Sequence, residues 1–242
     1  TQSWKVSKEW VFLYGMEKKR FKDVLGRVAY VLDCILLMAV LVIVVAVLVK
    51  TFKVETRSWA RIGYHNFEAY GFLAFFLLFL FPRLRRNTQW MMSFTHEFTH
   101  LILALLFFRK IHRFKVDNKD SHVSYSSGWF GYIPITLAPY CVPIFALALL
   151  PWHYTTDANV FLYAIQVLLG FSYAFHICCW AKQIRLHQTD ITGPGTARSL
   201  LFIAIFQILF FCLIVLTPSS GVLNALSRVF WDYPSQFVKG LL

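Results

Sequence analysis

The stretch FTHEFTHLI, residues 94–102, sets His96, Glu97 and His100 inside an apolar run. On a helix, residues four apart stand one above the other on the same face, so both imidazoles can reach one metal ion. Glu97 is offset around the helix, where its carboxylate meets a metal-bound water rather than the ion. Zinc lowers the pKa of such a water to about 7 and so provides a hydroxide nucleophile at neutral pH. The chemistry expected is metal-assisted hydrolysis. His96 and His100 would be zinc ligands, and Glu97 the general base that passes the proton to a leaving amine. The plainer reading is a polar cluster that hydrogen-bonds neighbouring helices. Such contacts normally use Ser, Thr, Asn or Gln, whereas a charged residue within an apolar span costs at least ~2.5–3.5 kcal/mol on insertion scales.

A catalytic zinc keeps three protein ligands and one open position. Asp190, in IRLHQTDITGPGTARS, is the expected third ligand. Its Gly/Pro cluster interrupts the chain ahead of the last apolar segment and can aim a carboxylate inward. His187, His176 and Asp157 are the alternatives, and a simple helix-capping or turn role is the non-metal reading of Asp190. His176 beside Cys178 and Cys179 resembles a soft-metal cluster, but neutral cysteine is common in buried apolar helices. His65, His112, His122 and His153 fall in loops or near interfaces and are expected to be solvated.

The elements that must position these residues are membrane-like. Hydrophobic residues make up 58% of the 242, with 25 Phe, which points to a polytopic membrane protein rather than a soluble domain. The net charge of +12 does not indicate nucleic acid, because Lys and Arg are confined to segments between apolar runs. The five cysteines all lie in apolar segments without CxxC spacing, so neither disulfides nor a thiolate metal site is expected. A helix needs about 20 apolar residues to cross the hydrocarbon. Six segments are read as transmembrane helices: 28–49, 69–82, 89–108, 129–150, 159–180 and 199–217. The second is short, and the third depends on its polar groups being tolerated. With six crossings, Lys and Arg divide equally between the two sides; if 69–82 does not cross, 15 of the 24 fall on the side of the N-terminus and the loop after HEFTH.

The chain reads as one membrane-embedded domain, all-α apart from one hairpin. Residues 1–27 form a basic interfacial segment and 218–242 an interfacial aromatic tail. No cleavable signal is evident. Residues 111–125, IHRFKVDNKDSHVSY, alternate apolar and polar positions on either side of a polar turn, which is a hairpin pattern. Its strand edges could pair with an extended peptide by β-addition, whereas a helical peptide bond is shielded from attack.

HEFTHLILALLFF in an apolar helix, the strand-like stretch after it, ITLAPYCVPIFALALLP and Asp190 in a later segment together resemble the site-2 protease family of intramembrane zinc metalloproteases. The resemblance covers residues 89–217. It implies a Zn2+ ion held by His96, His100 and Asp190, Glu97 as base, and transmembrane protein substrates cleaved within the lipid bilayer. It also implies a multi-pass protein of a bacterial inner or cell membrane, with no nucleic acid partner and room for a membrane-protein complex partner. TDITGPG departs from the D-G-G-like setting usual for the family's aspartate, and no segment resembles a PDZ domain. Two other functions fit the same residues. One is a zinc hydrolase acting on a lipid-linked amide or ester. The other is a non-catalytic membrane subunit with a vestigial zinc site. The hairpin favours a peptide substrate, and the intact His-Glu-His set favours catalysis.

Overall fold

An apolar surrounding offers no partner to a backbone N–H or C=O, so a chain of this composition must satisfy these groups internally. The computed structural model, which describes residues 2–62, 67–117, 121–155 and 160–241, is accordingly helical with one small sheet. Helix α1 (Gln2–Ile62) runs 61 residues, on the order of 90 Å at 1.5 Å per residue. It contains the expected span 28–49, and its stretch Asp23–Lys53 alone is long and apolar enough to cross. Helix α6 (Val160–Gln183) covers the expected span 159–180 from its first described residue, and α8 (Thr196–Ser220) contains 199–217.

The other three expected spans take different forms. Residues 129–150 fold as two helices, α4 (Tyr132–Cys141) and α5 (Ile144–Thr155), bent by 80° at a short break. Pro143 lies in that break and cannot donate to the helical ladder. The pair passes as one broken span. Residues 69–82 give α2 (Phe67–Phe79), whose 13 residues fall short of the hydrocarbon thickness. Pro82 opens the next helix, α3 (Pro82–Leu106), as an N-terminal proline does when its missing N–H is not needed. Helix α3 covers the expected span from 89 to Leu106, but its arginines and the HEFTH cluster keep it below the apolarity of a free-standing span. Among the described residues, three helices, or four with the bent pair, are therefore long and apolar enough to cross, rather than six.

The expected hairpin is present. Strand β1 (Ile111–Lys115) pairs antiparallel with β2 (His122–Tyr125), with Phe114 opposite Val123 and an irregularity between Ile111 and Arg113. Arg109 closes the base of the hairpin by donating to the carbonyls of Ser127, at 3.1 Å, and Phe130. Residues 118–120 of its turn lie outside the described residues, as do the side chains of residues 2–22, on which the basic interfacial reading of the N-terminal segment rests.

Two contacts hold the helices in register. Helix α1 meets α8 through a 2.9 Å ion pair between Asp33 and Arg198, whose guanidinium also lies over the Tyr30 ring. Pairing is what makes an ionised carboxylate in a span affordable. Helix α2 lies against α6 at close range: a Cβ on Gly71 would stand 1.8 Å from the Val167 carbonyl oxygen, and one on Gly170 1.9 Å from that of Glu68. Small residues let helix backbones approach this closely in membranes. Phe75 fills the adjoining space, edge-on to Phe171 and Phe175. In the tail, α9 (Val222–Ser227), a π-helical turn and α10 (Tyr233–Lys239) bury Val222, Ala225, Val229 and Tyr233 while exposing Leu223, Phe230 and Trp231.

The glycine contact is testable by melting in detergent. Gly71→Ala and Gly170→Ala are each expected to force the two backbones apart and cost about 1–3 kcal/mol, as overpacking does. Unchanged melting temperatures in both variants would mean that the helices are not packed at this distance.

Candidate metal centre

Helix α3 presents His96 and His100 one turn apart, with ring centroids 4.9 Å apart. Asp190 reaches them from α7 (Thr189–Thr192), a single helical turn between α6 and α8. Its oxygen Oδ2 lies 3.6 Å from His96 Nε2 and 3.8 Å from His100 Nε2. One ligand atom from each of the three residues falls within 4.8 Å of the others. Ligand atoms at about 2.0–2.2 Å around a tetrahedral zinc stand roughly 3.4 Å from each other. The two Asp190–imidazole separations are within a few tenths of an ångström of that, and all three ligand atoms lie within 4.8 Å of one another, so the donor set fits a zinc ion.

The turn that carries Asp190 is built by its own sequence. The Gln188 carbonyl accepts from the Ile191 and Thr192 N–H groups and from the Thr192 hydroxyl. Ile191 is fully buried beside Leu137, Tyr140 and Ile203, and its carbonyl accepts from the Ser199 hydroxyl at 2.9 Å. Gly195, at φ 101°, then redirects the chain into α8 against the Tyr30 ring. Burial raises the pKa of the Asp190 carboxyl, but the adjoining His100 and His96 imidazoles outweigh this and hold it below the usual carboxylate range. Ionised and half-buried, it is in the form a metal requires.

Each imidazole is turned by a partner on its far nitrogen. His100 Nδ1 donates to the Ile135 carbonyl at 2.8 Å, since a carbonyl can only accept. In an unbroken helix that carbonyl would bond the N–H of residue 139, but residue 139 is Pro139, inside α4. His96 Nδ1 meets Gln183 Oε1 at 3.3 Å, while Gln183 Nε2 donates to the Met92 carbonyl at 3.0 Å. With both Nδ1 atoms occupied as donors, both Nε2 atoms face Asp190; the neutral ring offers a metal its lone pair there, and the protonated ring offers the carboxylate a positive charge. Orientation of this kind commonly accompanies metal-ligating histidines. Glu97 is half-buried and makes no hydrogen bond or ion pair among the described residues.

Of the alternative third ligands, His187 is exposed and outside the group. His176 is buried in α6, where its Nε2 accepts from Gln207 Nε2 at 3.0 Å. Asp157 lies outside the described residues, as does His65. His153, expected to be solvated, is instead buried near Gln166, their Nε2 atoms 3.3 Å apart. Three participants escaped the sequence reading. They are Gln183, the Ile135 carbonyl and Tyr140, whose ring stands edge-on to His96 at 5.4 Å. The hairpin packs on the same helix, Phe114 meeting Phe94 at 6.4 Å, and Tyr125 feels the Asp190 charge and bonds Thr136.

The sequence profile of the Peptidase M50B-like family matches residues 69–218, which include all of this cluster. No curated protein and no solved structure matches the chain.

The role of Pro139 has a distinctive test. Pro139→Ala returns an N–H that competes with His100 for the Ile135 carbonyl. The variant is expected to melt higher, because a helix-interior proline costs about 3 kcal/mol, yet to bind zinc up to about tenfold more weakly. Zinc titration of the purified variant that gave the wild-type affinity would show that the freed carbonyl does not orient His100.

Proposed function

From the premise that the chain belongs to the Peptidase M50B-like family, we propose that it is an intramembrane zinc endopeptidase cleaving peptide bonds in or near transmembrane segments of other proteins. The observation that carries this reading is the convergence of His96 Nε2, His100 Nε2 and Asp190 Oδ2, with Glu97 one residue from the first of them. A zinc ion in that position supplies Lewis acidity and a water acidified to a pKa of about 7. The chain's own residues do the rest. His96, His100 and Asp190 hold the ion. Gln183 and the Ile135 carbonyl keep the imidazoles turned towards it. The Glu97 carboxylate takes a proton from the attacking water and delivers it to the leaving amide nitrogen.

The hairpin supports a peptide substrate over a lipid-linked one. A scissile bond inside a helix is shielded, and a strand edge packed on α3 offers backbone groups that hold an extended peptide. That pairing has no counterpart on a lipid chain. A vestigial site in a non-catalytic subunit has no need of Glu97, which makes no hydrogen bond or ion pair among the described residues.

Purified wild-type protein is expected to carry about one zinc per chain, and His96→Ala or His100→Ala to lose it. Full zinc in both variants would remove the basis of the proposal. Glu97→Gln is expected to keep zinc but abolish cleavage of a reconstituted transmembrane substrate, since the amide has no basic oxygen for the proton. Normal cleavage by that variant would exclude Glu97 as base, and absence of cleavage by wild type across transmembrane substrates would favour the non-catalytic alternative. Val123→Pro, which removes an N–H from the two-stranded unit, is expected to impair peptide cleavage without altering zinc content. Unimpaired cleavage would place substrate binding elsewhere.

A further inference from the structure

Tyr140 is a fully buried phenol fixed at both ends. Its backbone carbonyl is one of those released by the break after α4, because the Ile144 N–H that would meet it in a continuous helix bonds Val142 instead. Gln207 of α8 takes it up, its Nε2 donating to the Tyr140 carbonyl at 2.7 Å and to His176 Nε2 at 3.0 Å. An amide nitrogen has two protons, so this pair of contacts accounts for both. At the other end, the Tyr140 hydroxyl lies 3.0 Å from Gln188 Oε1 and 3.3 Å from Asp190 Oδ2. Gln188 Oε1 also accepts from the Arg185 N–H at 3.2 Å, which fixes it in place.

The oxygen that Tyr140 reaches is the one that faces both imidazoles. A carboxylate oxygen has lone pairs for a donor and for a metal together. Asp190 otherwise stands on a single helical turn, its carboxylate bonded by Tyr140 alone among the described residues, with the two imidazoles at 3.6 and 3.8 Å. The single phenolic proton is shared between Gln188 Oε1, the nearer acceptor, and Asp190 Oδ2. Tyr140 is braced by α8 behind, by Gln188 beside it, and by the His96 ring edge-on to its own.

We propose that Tyr140 is a positioning residue of the metal centre, its hydroxyl holding Asp190 Oδ2 in the orientation that ligates and its ring limiting rotation of His96. The inference rests on the reading of His96, His100 and Asp190 as metal ligands. It assigns a buried string from His176 through Gln207 and Tyr140 to Asp190 the task of connecting the α6–α8 core to the ligand that stands on the weakest element.

The test uses cobalt(II) as the probe and Tyr140→Phe as the variant, which keeps the ring and removes the hydroxyl. Three quantities are read: cobalt affinity by competition with a chelator, the visible absorption of the cobalt-saturated protein, and the melting temperature without metal. Tyr140→Phe is expected to bind cobalt about tenfold more weakly, in line with loss of a ligand's hydrogen-bond partner. Its saturated spectrum is expected to differ from wild type, because the carboxylate coordinates differently, while the metal-free melting temperature stays close. Wild-type affinity and spectrum in the variant would overturn the proposal. So would weaker affinity with an unchanged spectrum and a lower metal-free melting temperature, which would assign the hydroxyl to packing alone. Failure of wild type itself to bind cobalt, or binding that survives His96→Ala and His100→Ala, would instead remove the metal reading beneath it.

Discussion

A backbone carbonyl withdrawn from its helix in apolar surroundings must find another donor, and the centre of this protein is organised around two such carbonyls. Pro139 releases the carbonyl of Ile135, and the break at Val142 and Pro143 releases that of Tyr140. Each is taken by a side chain from a different helix, His100 of α3 and Gln207 of α8. An unsatisfied group would cost several kcal/mol in hydrocarbon, so these contacts are stringent requirements on the geometry. The defects in α4 therefore act as fixed points. They set the direction of one imidazole and the depth of the phenol beside the other.

Glutamine supplies most of the remaining connections. Gln183 accepts with one end and donates with the other, joining His96 to the backbone of its own helix. Gln188 receives both a backbone N–H and the Tyr140 hydroxyl. Gln207 donates twice, to a carbonyl and to a buried histidine. An amide bridges helices without bringing a charge into the span, so its desolvation is small beside that of Lys or Glu. Asp33 is paired with Arg198 and Asp190 stands beside two imidazoles, whereas Glu97 makes no hydrogen bond or ion pair among the described residues.

His96 and His100 were legible in the sequence because their relation is local: four residues on one helix fix it. Asp190 was legible because glycine and proline mark where a chain can leave a helix and present a side chain. Tyr140, Gln183 and Gln207 were not, since each matters only through a neighbour far away in sequence. The uniform apolarity of 129–150 concealed the bend, because hydropathy registers how oily a segment is and not which of its N–H groups are missing. Pro139 and Pro143, four apart, were the available sign of it. The hairpin followed from alternation, whereas α2 was too short for its apolar character to reveal whether it crosses. His153 is buried although it lies near a segment end, because Gln166 of α6 reaches its imidazole from a neighbouring helix.

His96 and Asp190 stand 94 positions apart in the chain. Between them lie the hairpin, the bent pair and α6, and the turn that carries Asp190 is shaped by Ser199 and Gly195 at the start of α8. Contacts of such separation form late in folding, since closing a long loop costs entropy before any contact repays it. The two histidines can come together as soon as α3 exists, but the third corner waits for the last long helix to dock. A chain still being inserted thus lacks the complete His–His–Asp group, and completion of the cluster coincides with completion of the fold around it.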